Sequence, residues 1–177
     1  MNEGLDRFEK TLEEGLVKIC TMAGLADEVM MSPDIDGKWN EFIKDYVADA
    51  VVNFNEYPDA AVGFAAFLGM AVAHHWDSDW QANRLNTYKK YYGKRGFDDM
   101  DDHITGDILN LTLEESLKIS GTINNCVQAA LGLIRHEGIE AQTATGFYAL
   151  ARCYSVLFRI GVSIELKRLG YKKQSIR

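Results

Sequence analysis

The segment AVAHHWDSDW, residues 71–80, holds the densest group of side chains that could do chemistry in this chain. On a helix, His75 and Asp79 are four residues apart, and His74 lies close to Asp77. Histidine and carboxylate side chains at that spacing can bind a divalent metal ion or share a proton in acid–base catalysis. We therefore take all four as candidate ligand-binding residues, with His75 and Asp79 as candidate metal ligands. The alternative is a helix end at which these side chains make only structural contacts.

A second group of possible metal ligands lies in the segment DDMDDH, residues 98–103. Asp99, His103 and Asp107 align four residues apart along one flank of a predicted helix, and Asp99 and His103 are the other two candidate metal ligands. Asp98, Asp99 and Asp102 resemble the DDxxD motif with which isoprenoid synthases bind magnesium and diphosphate. The second acidic motif of those enzymes is not found in this sequence. The pattern therefore favours the solvated, acidic start of a helix.

Two arginines near the end of the chain are further candidates for ligand binding. Arg152 and Arg159 lie on one polar stripe of a predicted helix that is otherwise largely apolar. A buried guanidinium without a partner is strongly destabilising, so each arginine needs an acid or an anionic ligand. One possibility is that the stripe faces solvent or pairs structurally with acids such as Asp45 or Asp77. The other is an anion pocket between this helix and the third one, with both arginines as bidentate donors.

Apolar residues recur at intervals of three and four along the whole chain, which predicts an all-α fold. Period-two runs of β-branched residues, the usual mark of strands, are absent. Thr112 and Glu115 form a capping-box pattern at the start of the fifth predicted helix. We expect a compact bundle of about six helices, over residues 5–30, 38–53, 59–83, 97–110, 112–137 and 143–169.

The third and the last of these helices are expected to lie at the centre of the bundle. Residues 60–73 contain no charged or strongly polar side chain, and a helix that is apolar on all sides is buried. Its small residues, Ala66 and Gly69 among them, form a narrow face that would let another helix approach closely. The sequence therefore predicts two central apolar helices packed side by side.

Length and charge limit the classes of function. A chain of 177 residues suits one helical domain over residues 1–177, with a basic tail at 167–177 that is expected to fray. The formal net charge of −7 disfavours binding to nucleic acid or to anionic lipid, so we expect neither partner. The lack of an apolar leader and the three widely spaced cysteines predict a cytoplasmic protein with buried, reduced thiols.

Two hypotheses of function follow. The first is a non-enzymatic helical-bundle protein that acts through homodimerisation or by binding a protein partner, with no cofactor. Its support is the aromatic content, 3 Trp, 8 Tyr and 8 Phe, because aromatic side chains are enriched at protein interfaces. The second is a small metal-dependent hydrolase, or an anionic-ligand-binding bundle, built from the His/Asp cluster with Arg152 or Arg159. There a divalent metal would lower the pKa of a bound water.

Overall fold

The protein is described by a computed structural model over residues 3–140 and 142–176. Met1, Asn2, Ala141 and Arg177 lie outside the described residues, so the predicted domain limits and the end of the tail are not covered. Within the described residues every regular element is helical, which confirms the predicted all-α bundle. The α-helices are α1 (Glu3–Ala23), α2 (Pro33–Asn53), α3 (Pro58–Asn83), α4 (Met100–Asp102), α5 (Leu113–His136) and α6 (Ala144–Arg168).

Helices α3 and α6 pack against each other at the centre of the bundle, as predicted. Every residue of α3 from Ala61 to Ala73 is buried. A Cβ atom on Gly161 of α6 would overlap the backbone carbonyl of Ala66, and one on Gly69 would overlap that of Phe158. The two helix backbones approach this closely because neither glycine carries a side chain.

Helix α6 also has the length and apolar composition that would allow a helix to cross a membrane. In this fold 67% of the most apolar 18-residue stretch of α6 is buried inside the protein. A buried core helix has the same composition, so the property fits the central position of α6.

Two helix boundaries differ from the prediction, and each has a local cause. Helix α1 ends at Ala23, not near residue 30, because Gly24 adopts the left-handed conformation with φ of +73° that terminates helices. Helix α2 begins earlier than predicted, at Pro33, a residue whose fixed φ suits the first helical position. The hydroxyl of Ser32 caps it by accepting a hydrogen bond from the amide of Ile35 at 3.2 Å.

The start of α5 agrees with its sequence pattern. The Thr112 hydroxyl accepts a hydrogen bond from the Glu115 amide at 3.1 Å, and the Glu115 carboxylate accepts one from the Thr112 amide at 3.0 Å. The predicted capping box is therefore confirmed. Helix α6 is capped similarly, since the Thr143 hydroxyl accepts from the Gly146 amide at 3.0 Å.

The prediction of one helix over residues 97–110 was wrong. The segment consists of a 3-10 turn, the short α4 and a π-helical stretch at His103–Ile108. In that stretch the Leu109 amide donates to the Ile104 carbonyl, five residues back, at 2.8 Å. In this stretch Ile104 and Leu109 are buried, whereas Ile108 is only half-buried.

Helix α3 is interrupted near its end by Asp79, whose φ of −167° and ψ of 88° are those of extended backbone. The Asp79 carboxylate accepts a hydrogen bond from the Ala82 amide at 3.0 Å, so it caps a separate final turn. The sequence analysis treated His75 and Asp79 as neighbours on one continuous helix. The break removes that alignment.

Candidate functional site

The predicted His/Asp cluster lies at the end of α3, where His74 reaches α6. Its Nδ1 lies 3.0 Å from Oε2 of Glu165, a carboxylate that is fully buried. The Arg168 guanidinium donates to both oxygens of Glu165, at 2.6 Å and 3.0 Å. Arg168 also lies 3.8 Å from Glu115 at the start of α5. The four side chains, His74, Glu165, Arg168 and Glu115, form one chain of polar contacts that joins the ends of α3, α6 and α5.

His75 points away from this chain, toward the 3-10 turn at Tyr88–Tyr91. Its Nδ1 shares a hydrogen bond with the Tyr91 hydroxyl at 2.9 Å. Burial, and then the positive charge that His74 and Lys90 can carry, lowers the pKa of His75. Burial also raises the pKa of Tyr91 to about 12. The pair is therefore neutral near neutral pH.

The two aspartates of the cluster make separate contacts. The Asp77 carboxylate accepts a hydrogen bond from the Tyr171 hydroxyl at 2.7 Å, and the Tyr171 ring lies 5.4 Å from that of Trp76. These contacts hold part of the basic tail against α3. Asp79 caps the final turn of α3, as described above. The structure therefore does not bring His74, His75, Asp77 and Asp79 together around one point.

Arg152 and Arg159 face α1 instead of α3. Arg152 donates to Asp6 at 2.7 Å and to Glu9 at 3.3 Å. Arg159 donates to Glu13 at 2.7 Å and to Glu9 at 3.1 Å. The partners predicted from the sequence, Asp45 and Asp77, are not the ones observed. Because the acids of α1 already occupy both guanidinium groups, the expected anion pocket between α3 and α6 does not form around them.

The other candidate metal ligands are also engaged locally. The Asp99 carboxylate accepts hydrogen bonds from the Arg95 amide at 3.0 Å and 3.2 Å, which closes the turn before it. His103 lies 2.9 Å from Asp107 one helical turn later. Across residues 3–140 and 142–176, no group of three or more His, Cys, Asp or Glu side chains is arranged to hold a metal ion. The geometry therefore gives no support to a metal centre.

A different feature stands out on the surface, an apolar groove between α2 and the first turns of α6. It has a volume of about 550 Å³, and seven of its eight lining residues are uncharged. We call this surface the α2–α6 face; its residues are Ile43, Lys44, Val47, Ala48, Val51, Phe147, Tyr148 and Ala151. Val51, Phe147 and Tyr148 are exposed by 48%, 42% and 56% respectively. Large apolar side chains are thus left in solvent along two neighbouring helices.

Sequence reasoning missed both Glu165 and the α2–α6 face. Glu165 had a detectable signal, since it is a single acid inside the apolar run GVSIEL and stands three residues before Arg168. The face was hidden because a periodic apolar pattern does not distinguish a buried helix face from an exposed one.

No family model, curated protein or solved structure matches this chain. A functional assignment therefore has to come from the geometry of the molecule itself.

Proposed function

We propose that this protein is a non-enzymatic binding module that pairs with a second copy of itself through the α2–α6 face. The observation that supports this proposal is the exposure of Val51, Phe147 and Tyr148 around one apolar groove. Contiguous apolar surface on a folded protein is typical of an interaction site. Aromatic side chains are also the residues most often found at the energetic centre of interfaces.

A second copy is the occupant that the shape of this face favours. The face carries exposed aromatic rings of α6 and aliphatic side chains of α2 along the same shallow groove. A two-fold axis brings the same patch of both copies together, so the aromatic rings of one copy can pack on the aliphatic side chains of the other. A surface that offers both features is therefore suited to self-association.

Sedimentation velocity at micromolar concentration tests the proposal. We expect the wild-type chain to sediment as a dimer and Val51→Lys to sediment as a monomer, because the new charge would be buried in the interface. Val52→Lys is the matched control, since Val52 is the next residue, is 80% exposed and does not line the groove. It should leave the dimer intact. A wild-type chain that stays monomeric at these concentrations would contradict self-pairing and leave binding of another protein as the use of the face.

The alternative, a metal-dependent hydrolase or anion-binding bundle, has weaker support. His74, held by the buried Glu165, is the one side chain of the predicted cluster with an orientation that suits a general base. Metal analysis of protein purified without an affinity tag tests this alternative. We expect no stoichiometric zinc, iron or manganese and no change of melting temperature in chelator. A bound metal that is lost in His74→Ala would overturn this expectation.

A further inference from the structure

Two of the three cysteines lie against each other in the core. Cys20, near the end of α1, and Cys126, in the middle of α5, are fully buried, and their sulfur atoms are 4.0 Å apart. They are separated by 106 positions in the sequence, so only the fold brings them together. Cys153 is also buried, but it lies on α6.

The contact makes the two thiols chemically unequal. The hydrogen bond between them lowers the pKa of Cys20 and raises that of Cys126. Burial alone raises the pKa of Cys153 to about 12. The thiolate is the nucleophile in thiol–disulfide exchange, and within the folded core Cys20 has more thiolate character than Cys126.

We propose that Cys20 and Cys126 form a reversible disulfide when the chain meets an oxidised low-molecular-weight disulfide of the glutathione class. The thiolate of one of the two cysteines attacks one sulfur of the oxidant, which gives a mixed disulfide and releases one thiolate. The thiolate of the other cysteine then attacks the protein sulfur of that mixed disulfide and releases the second thiolate. In total, two protein thiols are oxidised to one disulfide and one oxidant disulfide is reduced to two thiols, which take up the two protons.

The geometry requires only a small rearrangement for this bond. The sulfurs of a disulfide lie about 2.05 Å apart, so the two atoms, 4.0 Å apart in the core, have to approach by about 2 Å. Because both sulfurs are buried, the oxidant reaches them while α1 is undocked, either during folding or during local opening. The product would tie α1 to α5 and hold α1 in its docked position.

Refolding in a glutathione redox buffer tests the proposal with the wild-type chain. Three cysteines allow three different single disulfides, and we expect refolding to select the Cys20–Cys126 pair. Peptide mapping without reductant should identify that pair, and thiol titration in denaturant should find Cys153 free. The oxidised protein should melt on the order of 10 °C higher than the reduced one, because the cross-link closes a long loop.

Two variants provide the controls. Cys153→Ala should still form the disulfide, whereas Cys126→Ala should keep both remaining thiols free. Wild-type protein that refolds with three free thiols in the oxidising buffer would overturn the proposal. A mixture in which Cys153 is paired as often as the other two would overturn it as well.

Discussion

Glu165 shows how a single residue can join three helices. Its buried carboxylate accepts hydrogen bonds from Arg168 at 2.6 Å and 3.0 Å and lies 3.0 Å from His74. A hydrogen bond to a charged group contributes about 1.5–3 kcal/mol, and the loss of one member of a buried pair leaves the other charge unsatisfied. We expect Glu165→Gln to lower the free energy of unfolding by about 2 kcal/mol. Denaturant titration measures this change.

The control for that variant is an ion pair of similar length at the surface. Lys167 and Asp27 are 2.9 Å apart, and the Asp27 side chain is 64% exposed. Exposed ion pairs contribute little to folding stability, so Asp27→Asn should change the free energy of unfolding by less than about 0.5 kcal/mol. Equal losses in the two variants would show that the burial of Glu165 has no special effect.

His75 should make the folded protein less stable in acid. Burial lowers its pKa below the usual 6.5, so the unfolded chain takes up the proton at a higher pH than the folded one. The stability that neutral His75 contributes is complete above pH 6.5 and is lost as the pH falls through that value toward the folded pKa. Between about pH 7 and about pH 5, wild-type protein should therefore lose more stability than His75→Gln.

A direct measurement checks the cause of this effect. NMR titration of the His75 ring should give a midpoint below 6.5 in the folded protein. Tyr91→Phe removes the hydroxyl that lies 2.9 Å from Nδ1 but leaves most of the burial in place. The midpoint should therefore stay below 6.5 in that variant, since desolvation is the main cause. A wild-type midpoint at or above 6.5 would contradict this account.

At the scale of the helices, the contact between α3 and α6 depends on two glycines. A Cβ on Gly161 would overlap the backbone of Ala66, which cannot rotate away as a side chain can. We expect Gly161→Ala to lower the free energy of unfolding by about 3 kcal/mol, because the two central helices have to separate. Thermal or denaturant unfolding tests this value.

Gly121 in α5 is the matched control, since a Cβ there would meet no atom within 4 Å. Alanine favours a helix interior over glycine by about 0.5–1 kcal/mol, so Gly121→Ala should raise the free energy of unfolding. Opposite signs for the two substitutions are the expected result. A stabilising Gly161→Ala would show that the helices do not approach as described.

The central pair of helices could be predicted because its signal is continuous in the sequence. The uncharged residues 60–73 and the narrow face with Ala66 and Gly69 are sufficient to place α3 in the core. The π-helical stretch and the break at Asp79 could not be predicted in this way. A prediction from apolar periodicity assumes a regular α-helix. Both features depend on hydrogen bonds that form only where the backbone departs from regular α-helical geometry.

The candidate site was predictable in composition but not in arrangement. Sequence reasoning identified His74 and His75 as chemically able, and both are half-buried at the end of α3. It could not show that His74 turns to Glu165 and His75 to Tyr91. The reason is that both contacts follow from tertiary packing: the register of α3 against α6 brings Glu165 to His74, and the path of residues 84–92 brings Tyr91 to His75.

At the scale of the whole molecule, the net charge opposes the proposed dimer, whereas the apolar α2–α6 face favours it. Each copy carries a formal charge of −7, so two copies repel at long range. The α2–α6 face contributes only Lys44 as a charged residue and would bury aliphatic and aromatic side chains. Added salt screens the repulsion without weakening the apolar contact, so it should strengthen the proposed dimer.

The melting temperature should therefore depend on protein concentration. If dissociation accompanies unfolding, a tenfold increase in concentration should raise the melting temperature of wild-type protein by about 2 °C. Val51→Lys, which we expect to be monomeric, should melt at the same temperature at every concentration, whereas Val52→Lys should behave like the wild type. Calorimetry at several concentrations and two salt levels measures both effects. A wild-type melting temperature that is independent of concentration and salt would be incompatible with pairing through the α2–α6 face, because dimerisation that stabilises the folded state has to obey mass action.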